Sequence, residues 1–381
     1  ATGRFPTFRP ASPLMFLWLL RESGPLSDRM NAVAAGDSRI YLTARIAAAT
    51  VTAFVAAIVF GRPAIRWLAG RFRERVDSAS VRLNSLHESK NTTPTMGGVF
   101  VVAAIVVSSL LWCDLTNRAA LLTMVVAAAF CAIGAVDDWI KSTSSRRGLT
   151  VLQKLCAQFV VAVGVGTLLY RESSANPEGL SLLLPVGPGA IWLGAAFPIW
   201  AMLVLVGSSN AVNLTDGLDG LAGGCAVMTA GAMAALCYVA GHAVLAGYLE
   251  VPFVPYAGEV AVVLGALAGA MLGFLWFNCH PAQVFLGDAG SLPVGALLAV
   301  GALVSRQEIL LVVAGGVFVV ETLSVLMQVG WFKLTRRRLI ACSPLHNHFV
   351  LTGQHELKVV VRFWIGSAVC AAVALALLKV R

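Results

Sequence analysis

The chain has 381 residues, 58% of them hydrophobic and 12% charged, with mean hydropathy +0.81 and net charge +9. The charged share is about half that of a soluble domain, and surface-to-volume scaling leaves no way to hide so much apolar area from water. This excludes soluble, disordered, collagenous and coiled-coil classes. In such a chain a basic excess belongs to cytoplasmic loops and not to nucleic-acid binding. The eight Cys have no CxxC spacing and fall mostly in apolar runs, so they read as small hydrophobes rather than disulfides or zinc ligands.

A membrane span needs about 20 mostly apolar residues. Ten stretches qualify, centred on 40–62, 95–113, 119–136, 151–170, 189–209, 221–241, 257–277, 290–304, 309–331 and 358–379. The expected fold is all-α, a polytopic integral membrane protein of about ten transmembrane helices with active-site loops on one face. The run 290–304 is short and gives the weakest signal. Met15–Leu20 is too short to span and reads as interfacial. Residues 1–13 are polar and Pro-containing and are read as partly foreign to the native chain. The expected organisation is an extracytoplasmic or interfacial segment over 1–39 and a single membrane domain over 40–381.

Charge sets the orientation. The loop after span 1 holds Arg62, Arg66, Arg71, Arg73, Arg75, Arg82 and Lys90. Those after spans 3 and 9 hold Lys141, Arg146 and Arg147, and Lys333, Arg336, Arg337 and Arg338. The opposite internal loops carry only Arg118, Arg171 and Arg306. The positive-inside rule places the first set in the cytoplasm. Arg4, Arg9, Arg21, Arg29 and Arg39 pull the other way, but Glu22, Asp28 and Asp37 offset them in a short tail.

The polar residues collect on that same face: His87 and Lys90, Asp137-Asp138, Asn213, Asp216 and Asp219, Asn278, His280 and Asp288, and His346 and His348. Converging carboxylates in charge-poor loops point to one site. The loops after spans 5 and 7 contain no Lys or Arg, so their aspartates lack local ion-pair partners and a divalent cation is the natural neutraliser. Oxygen-only ligands beside a phosphate favour Mg²⁺.

Individually the motifs are weaker. Asn213, Asp216 and Asp219 share a face if helical, or cap a turn at Gly217 and Gly220. Adjacent Asp137 and Asp138 point about 100° apart on a helix, so one of them is expected to reach the reacting groups. The Gly-flanked Asp288 opens a span, where free backbone N–H groups bind phosphate, or acts as a plain helix cap. His346-Asn347-His348, in a basic loop after Pro344, suits phosphate binding or acid–base work. Zinc lacks an obvious third soft ligand there. Glu321, inside span 9, is a functional acid or an interhelical hydrogen bond.

Together these motifs resemble the phospho-N-acetylmuramoyl-pentapeptide transferase family, within the polyprenyl-phosphate N-acetylhexosamine-1-phosphate transferases. His87-Glu-Ser-Lys90-Asn-Thr-Thr-Pro94-Thr95-Met-Gly97-Gly98 is similar to HxxKxxTPTMGG, and Asp137-Asp138-Trp-Ile-Lys141 to DDxxK. Asn210-Ala-Val-Asn213-Leu-Thr-Asp216-Gly-Leu-Asp219-Gly matches NxxNLTDGLDG, Phe285-Leu-Gly-Asp288-Ala-Gly-Ser291-Leu matches FxGDxGSL, and Val361-Arg-Phe-Trp364 also fits. The likeness runs from about residue 40 to 381. It departs in the usual PxHHHxE motif, where Asn347 replaces the middle His and Val350 the acid.

The resemblance implies transfer of phospho-MurNAc-pentapeptide from UDP to undecaprenyl phosphate, giving lipid I and UMP, with Mg²⁺ as cofactor, in the bacterial cytoplasmic membrane. It implies Asp288 as metal ligand, Asp137 or Asp138 deprotonating or positioning the lipid phosphate, and His346 as required for catalysis. Lys90, Thr95, Asn213, Asp216 and Asp219 would line the nucleotide-sugar cleft, with Lys141, Asn278 and Phe285 around uracil and His348 also binding substrate. UDP-MurNAc-pentapeptide, undecaprenyl phosphate and the bilayer are the expected partners. Nucleic acid is not expected, and a homodimer is allowed. Two other readings remain: a related transferase using UDP-N-acetylglucosamine, and an ion-coupled transporter. The latter would place its charges near the bilayer midplane rather than at one face.

Overall fold

The computed structural model describes residues 42–72, 93–144, 148–174, 177–185, 187 and 189–379. The N-terminal segment 1–39, His87, Lys90, Arg146 and Arg147 lie outside the described residues. The described chain is almost wholly helical: α1 (Leu42–Ala69), α2 (Gly98–Trp112), α3 (Arg118–Thr143), α4 (Val151–Ser173), α5 (Phe197–Thr215), α6 (Leu221–Gly241), the short α7 (Ala243–Tyr248), α8 (Ala257–Asn278), α9 (Asp288–Ser305), the short α10 (Glu308–Ala314), α11 (Gly316–Thr335), the short α12 (Leu345–Leu351) and α13 (Glu356–Ala376). One antiparallel hairpin joins β1 (Ser181–Leu183) to β2 (Ala190–Trp192), pairing Leu182 with Ile191.

Among the described residues nine helices are long and apolar enough to cross a membrane. The tenth expected span is α2, which at 15 residues is shorter than a straight crossing requires. The weak run at 290–304 is, by contrast, the centre of the bundle: every residue of α9 is buried. Around it pack α2, α3, α5, α6 and α8. Small residues allow this. Gly134 on α3 sits so close to the Asp288 carbonyl that a Cβ there would overlap it, the close approach that Gly and Ala permit between membrane helices. The outer helices keep broad apolar faces, with Val51, Val55 and Val59 on α1 and Leu326 on α11 exposed.

Two details differ from the sequence reading. Span 1 runs on to Ala69, so Arg62 and Arg66 lie on its last turns, both exposed, rather than in a loop. Long basic side chains at a helix end can reach the interface, so they do not end the helix. Span 9 breaks at Gly315 into α10 and α11.

At the end of the bundle where α1 and α8 begin and α8 meets α2, Arg45 is 2% exposed. Its guanidinium forks onto both oxygens of Glu259, with Nη1–Oε1 at 2.8 Å, and Nε donates to the Trp112 carbonyl at 2.8 Å. The Asp114 N–H also donates to Glu259 at 2.7 Å. A buried ion pair with its remaining lone pairs satisfied ties α1, α2 and α8 together far from the opposite end.

Candidate active site

The C-terminal end of α3, the N-terminal ends of α4 and α9, and the C-terminal end of α5 converge at that opposite end. Asp137, Asp138 and Asp288, all buried, each place a carboxylate oxygen within 4.8 Å of the others. Both adjacent aspartates therefore lie beside Asp288. They have different work. Asp138 accepts the backbone N–H groups of Asp288 (3.1 Å) and Ala289 (3.0 Å), capping α9. The Gly-rich start of α9 thus has these N–H groups engaged rather than free for phosphate, and Gly290 and Ser291 N–H donate to the Gly287 carbonyl. Asp137 accepts the Leu149 N–H at 2.6 Å, pulling the α3–α4 connection over the cluster.

The aspartates do not lack cations. Lys141 Nζ lies 2.9 Å from Asp137 and 3.0 Å from Asp288. Lys154 Nζ lies 2.6 Å from Asp288 and 3.7 Å from Asp137. Lys141 shares a helix end with Asp137, four residues away, but neither cation belongs to the loop that carries Asp288, which is why counting charges within that loop left Asp288 without a partner. Lys154 was not foreseen at all. Its signal is local: Thr150 and Gln153 form a reciprocal capping box that starts α4, so Lys154 sits in a first turn where the helix dipole disfavours a cation and an acidic partner is needed.

Asn213 donates to Asp288 Oδ1 (2.6 Å) and to Ser291 Oγ (2.8 Å), joining α5 to α9. The helix ends at Thr215, so Asn213, Asp216 and Asp219 do not share a helical face. Asp216 caps α5, and Asp219 accepts from His280 Nδ1 (3.0 Å) and the Ala282 N–H (3.2 Å). Asn278 braces the same loops: its amide accepts from the Gly220 N–H at 2.9 Å and donates to the Val284 carbonyl at 2.8 Å. Phe285 is half-buried, its backbone paired with Pro94 and Gly97. Thr95 is fully buried, with Oγ1 2.9 Å from where a Cβ on Gly287 would stand, placing it beside Asp138 at the head of α9.

The two histidines of the Pro344 loop part company. His346 is 1% exposed, and its backbone N–H donates to Glu321 Oε1 at 3.1 Å. Its ring lies on Gly217, where a Cβ would overlap Nε2. His348 Nδ1 accepts the Ala341 N–H at 3.3 Å within its own loop. A shared HxH zinc site is therefore not formed.

Among the described residues, three carboxylates face two ammonium groups in a buried, oxygen-only donor set. Such a set could hold a metal ion, and Asp138 is engaged at the helix cap. The lysines beside it suit a polyanionic ligand.

The glycosyl transferase family 4 model matches residues 120–306, the stretch that carries all three aspartates and both lysines. Over 351 residues, 90% of this chain and 94% of the relative, it is 44% identical to the phospho-N-acetylmuramoyl-pentapeptide-transferase of Desulfosudis oleivorans. Over 388 residues, 96% of this chain and all of the relative, it is 42% identical to that of Koribacter versatilis. Identity at this level, sustained along nearly the whole of both relatives, makes the chain a member of the phospho-N-acetylmuramoyl-pentapeptide transferase family.

Proposed function

We propose that this phosphotransferase moves phospho-MurNAc-pentapeptide from its UDP carrier to undecaprenyl phosphate, leaving lipid I in the membrane and releasing UMP. The observation that carries the reading is the pairing of Lys141 and Lys154 with Asp137 and Asp288 at one end of a membrane-crossing bundle. A lipid phosphate and a water-soluble nucleotide sugar can meet only at such an interface. The basic residues of that end support a cytoplasmic orientation in a bacterial inner membrane.

An oxygen of the lipid phosphate attacks the phosphorus that bears the sugar, and the pyrophosphate P–O bond to UMP breaks. The lipid phosphate, with second pKa of about 6, is largely dianionic at neutral pH, so the barrier is chiefly repulsion between anions. Lys141 and Lys154 offset that repulsion. Asp288 and Asp137 would hold Mg²⁺, which would supply Lewis-acid neutralisation of charge on the pyrophosphate. Asp137 also orients the lipid phosphate, and Asp138 fixes the head of α9 on which Asp288 stands. Lys90, Thr95, Asn213, Asp216 and Asp219 line the sugar–nucleotide cleft, Phe285 offers a stacking face to uracil, and Asn278 holds the loops on either side. His348 binds substrate from the loop after Pro344, and His346 acts in the transfer.

Purified protein given undecaprenyl phosphate, Mg²⁺ and each UDP-sugar in turn tests this. UMP release with UDP-MurNAc-pentapeptide and none with UDP-N-acetylglucosamine is expected; the reverse preference would move the chain to the related transferases.

A further inference from the structure

We infer that Glu321 is the positioning residue for His346, a buried carboxylate that selects the tautomer and aim of the imidazole. The inference rests on the reading that His346 acts in the transfer. Glu321 lies within α11 and is fully buried. His346, on α12, is buried against it. Oε1 of Glu321 accepts the His346 backbone N–H at 3.1 Å and stands 3.3 Å from Nδ1 of the same residue. That second contact is not aligned as a hydrogen bond. Oε2 of Glu321 and both ring nitrogens find no hydrogen-bond partner among the described residues.

Buried polar atoms this close, with capacity unspent on both sides, are complementary: a small turn of the ring lets Nδ1–H donate to the carboxylate. An imidazole so held carries its proton on Nδ1 and leaves the lone pair on Nε2. Nε2 is the atom against Gly217, in the turn between Asp216 and Asp219 and four residues beyond the Asn213 that grips Asp288. The carboxylate therefore lies behind the ring and the substrate loops lie in front of it. The Glu321 Oε1 that receives the backbone N–H also fixes where α12 begins, so ring and main chain are registered by one group. Among the described residues no Lys or Arg pairs with Glu321.

A plain tether between helices would need only a hydrogen-bonding group at position 321, and this separates the two roles. Glu321→Gln keeps size and polarity but removes the anion. Expected are a melting temperature and UMP binding close to wild type and a turnover at least tenfold lower. Glu321→Asp should recover part of the turnover. A Gln variant within threefold of wild type overturns the inference. A direct measurement does not depend on any Glu321 variant folding: ¹⁵N-histidine NMR of the wild-type protein, with His346 assigned by its loss in His346→Gln. The Nδ1–H tautomer is expected, and the Nε2–H tautomer overturns the inference. His346→Ala separates the two layers. If it turns over within threefold of wild type, the reading of His346 fails; if it is inactive while Glu321→Gln is normal, only the role of Glu321 fails.

Discussion

Both oxygens of Asp288 have partners, Asn213 on Oδ1 and the two ammonium groups on Oδ2. Asp288→Asn preserves the shape but turns an amide toward two cations. UMP release should fall to background with the melting temperature little changed, and turnover within threefold of wild type would contradict the assignment. Lys154→Met removes a cation that competes with a metal for Asp288. Turnover should fall tenfold or more as substrate anions lose a partner, while the Mg²⁺ concentration for half-maximal activity should stay level or drop. A clear rise in that concentration would mean Lys154 does not compete there. Asn347 is half-buried, with its backbone N–H on the Pro344 carbonyl. An amide cannot exchange a proton near neutral pH, so if the middle position of this loop were the acid–base group the wild-type protein would be inactive. Activity is expected, and Asn347→His should change it little; a hundredfold gain would relocate the chemistry to that position.

At the scale of elements, the ion pair of Arg45 and Glu259 binds α1 to α8, and with Trp112 and Asp114 it holds α2 as well. Arg45→Met strands a buried carboxylate, a loss of about 3–5 kcal/mol. Because the pair stands at the end away from the aspartates, the melting temperature should fall while turnover per folded molecule holds. Lost turnover at full thermal stability would contradict this division. The helices themselves were legible because a span is long and its signal is summed over some twenty residues. The exception is instructive. Residues 290–304 looked weak because α9, enclosed on all sides, is built of Gly, Ala, Ser and Pro as well as Leu and Val. Hydropathy rewards bulk, whereas a central helix needs small residues for close crossing. Gly315 was legible as a residue but not as the break between α10 and α11, since Gly is tolerated within many membrane helices.

For the whole molecule, sequence order told which loops share a face, and Asp137, Asp138 and Asp288 from two of those loops lie together. What it could not give was which cation meets which acid. Lys141 and Lys154 reach Asp288 across 147 and 134 residues, and no local pattern encodes such a meeting. The split between His346 and His348 was hidden for the same reason: Gly217 and Glu321, which hold His346, come from two other elements. Orientation has its own test. Cys279 is exposed in the loop beside Asn278. With the other seven cysteines replaced, a membrane-impermeant thiol reagent should label it in inverted vesicles and not in right-side-out cells; labelling of intact cells would reverse the topology. The most direct test of the whole account is the product balance of purified protein with undecaprenyl phosphate, UDP-MurNAc-pentapeptide and Mg²⁺. One UMP should appear for each lipid-linked pyrophosphoryl sugar, with no turnover after chelation, recovery on restoring Mg²⁺, and none in Asp288→Asn at any Mg²⁺ concentration. UMP formed without the lipid acceptor, or turnover indifferent to chelation, would contradict it.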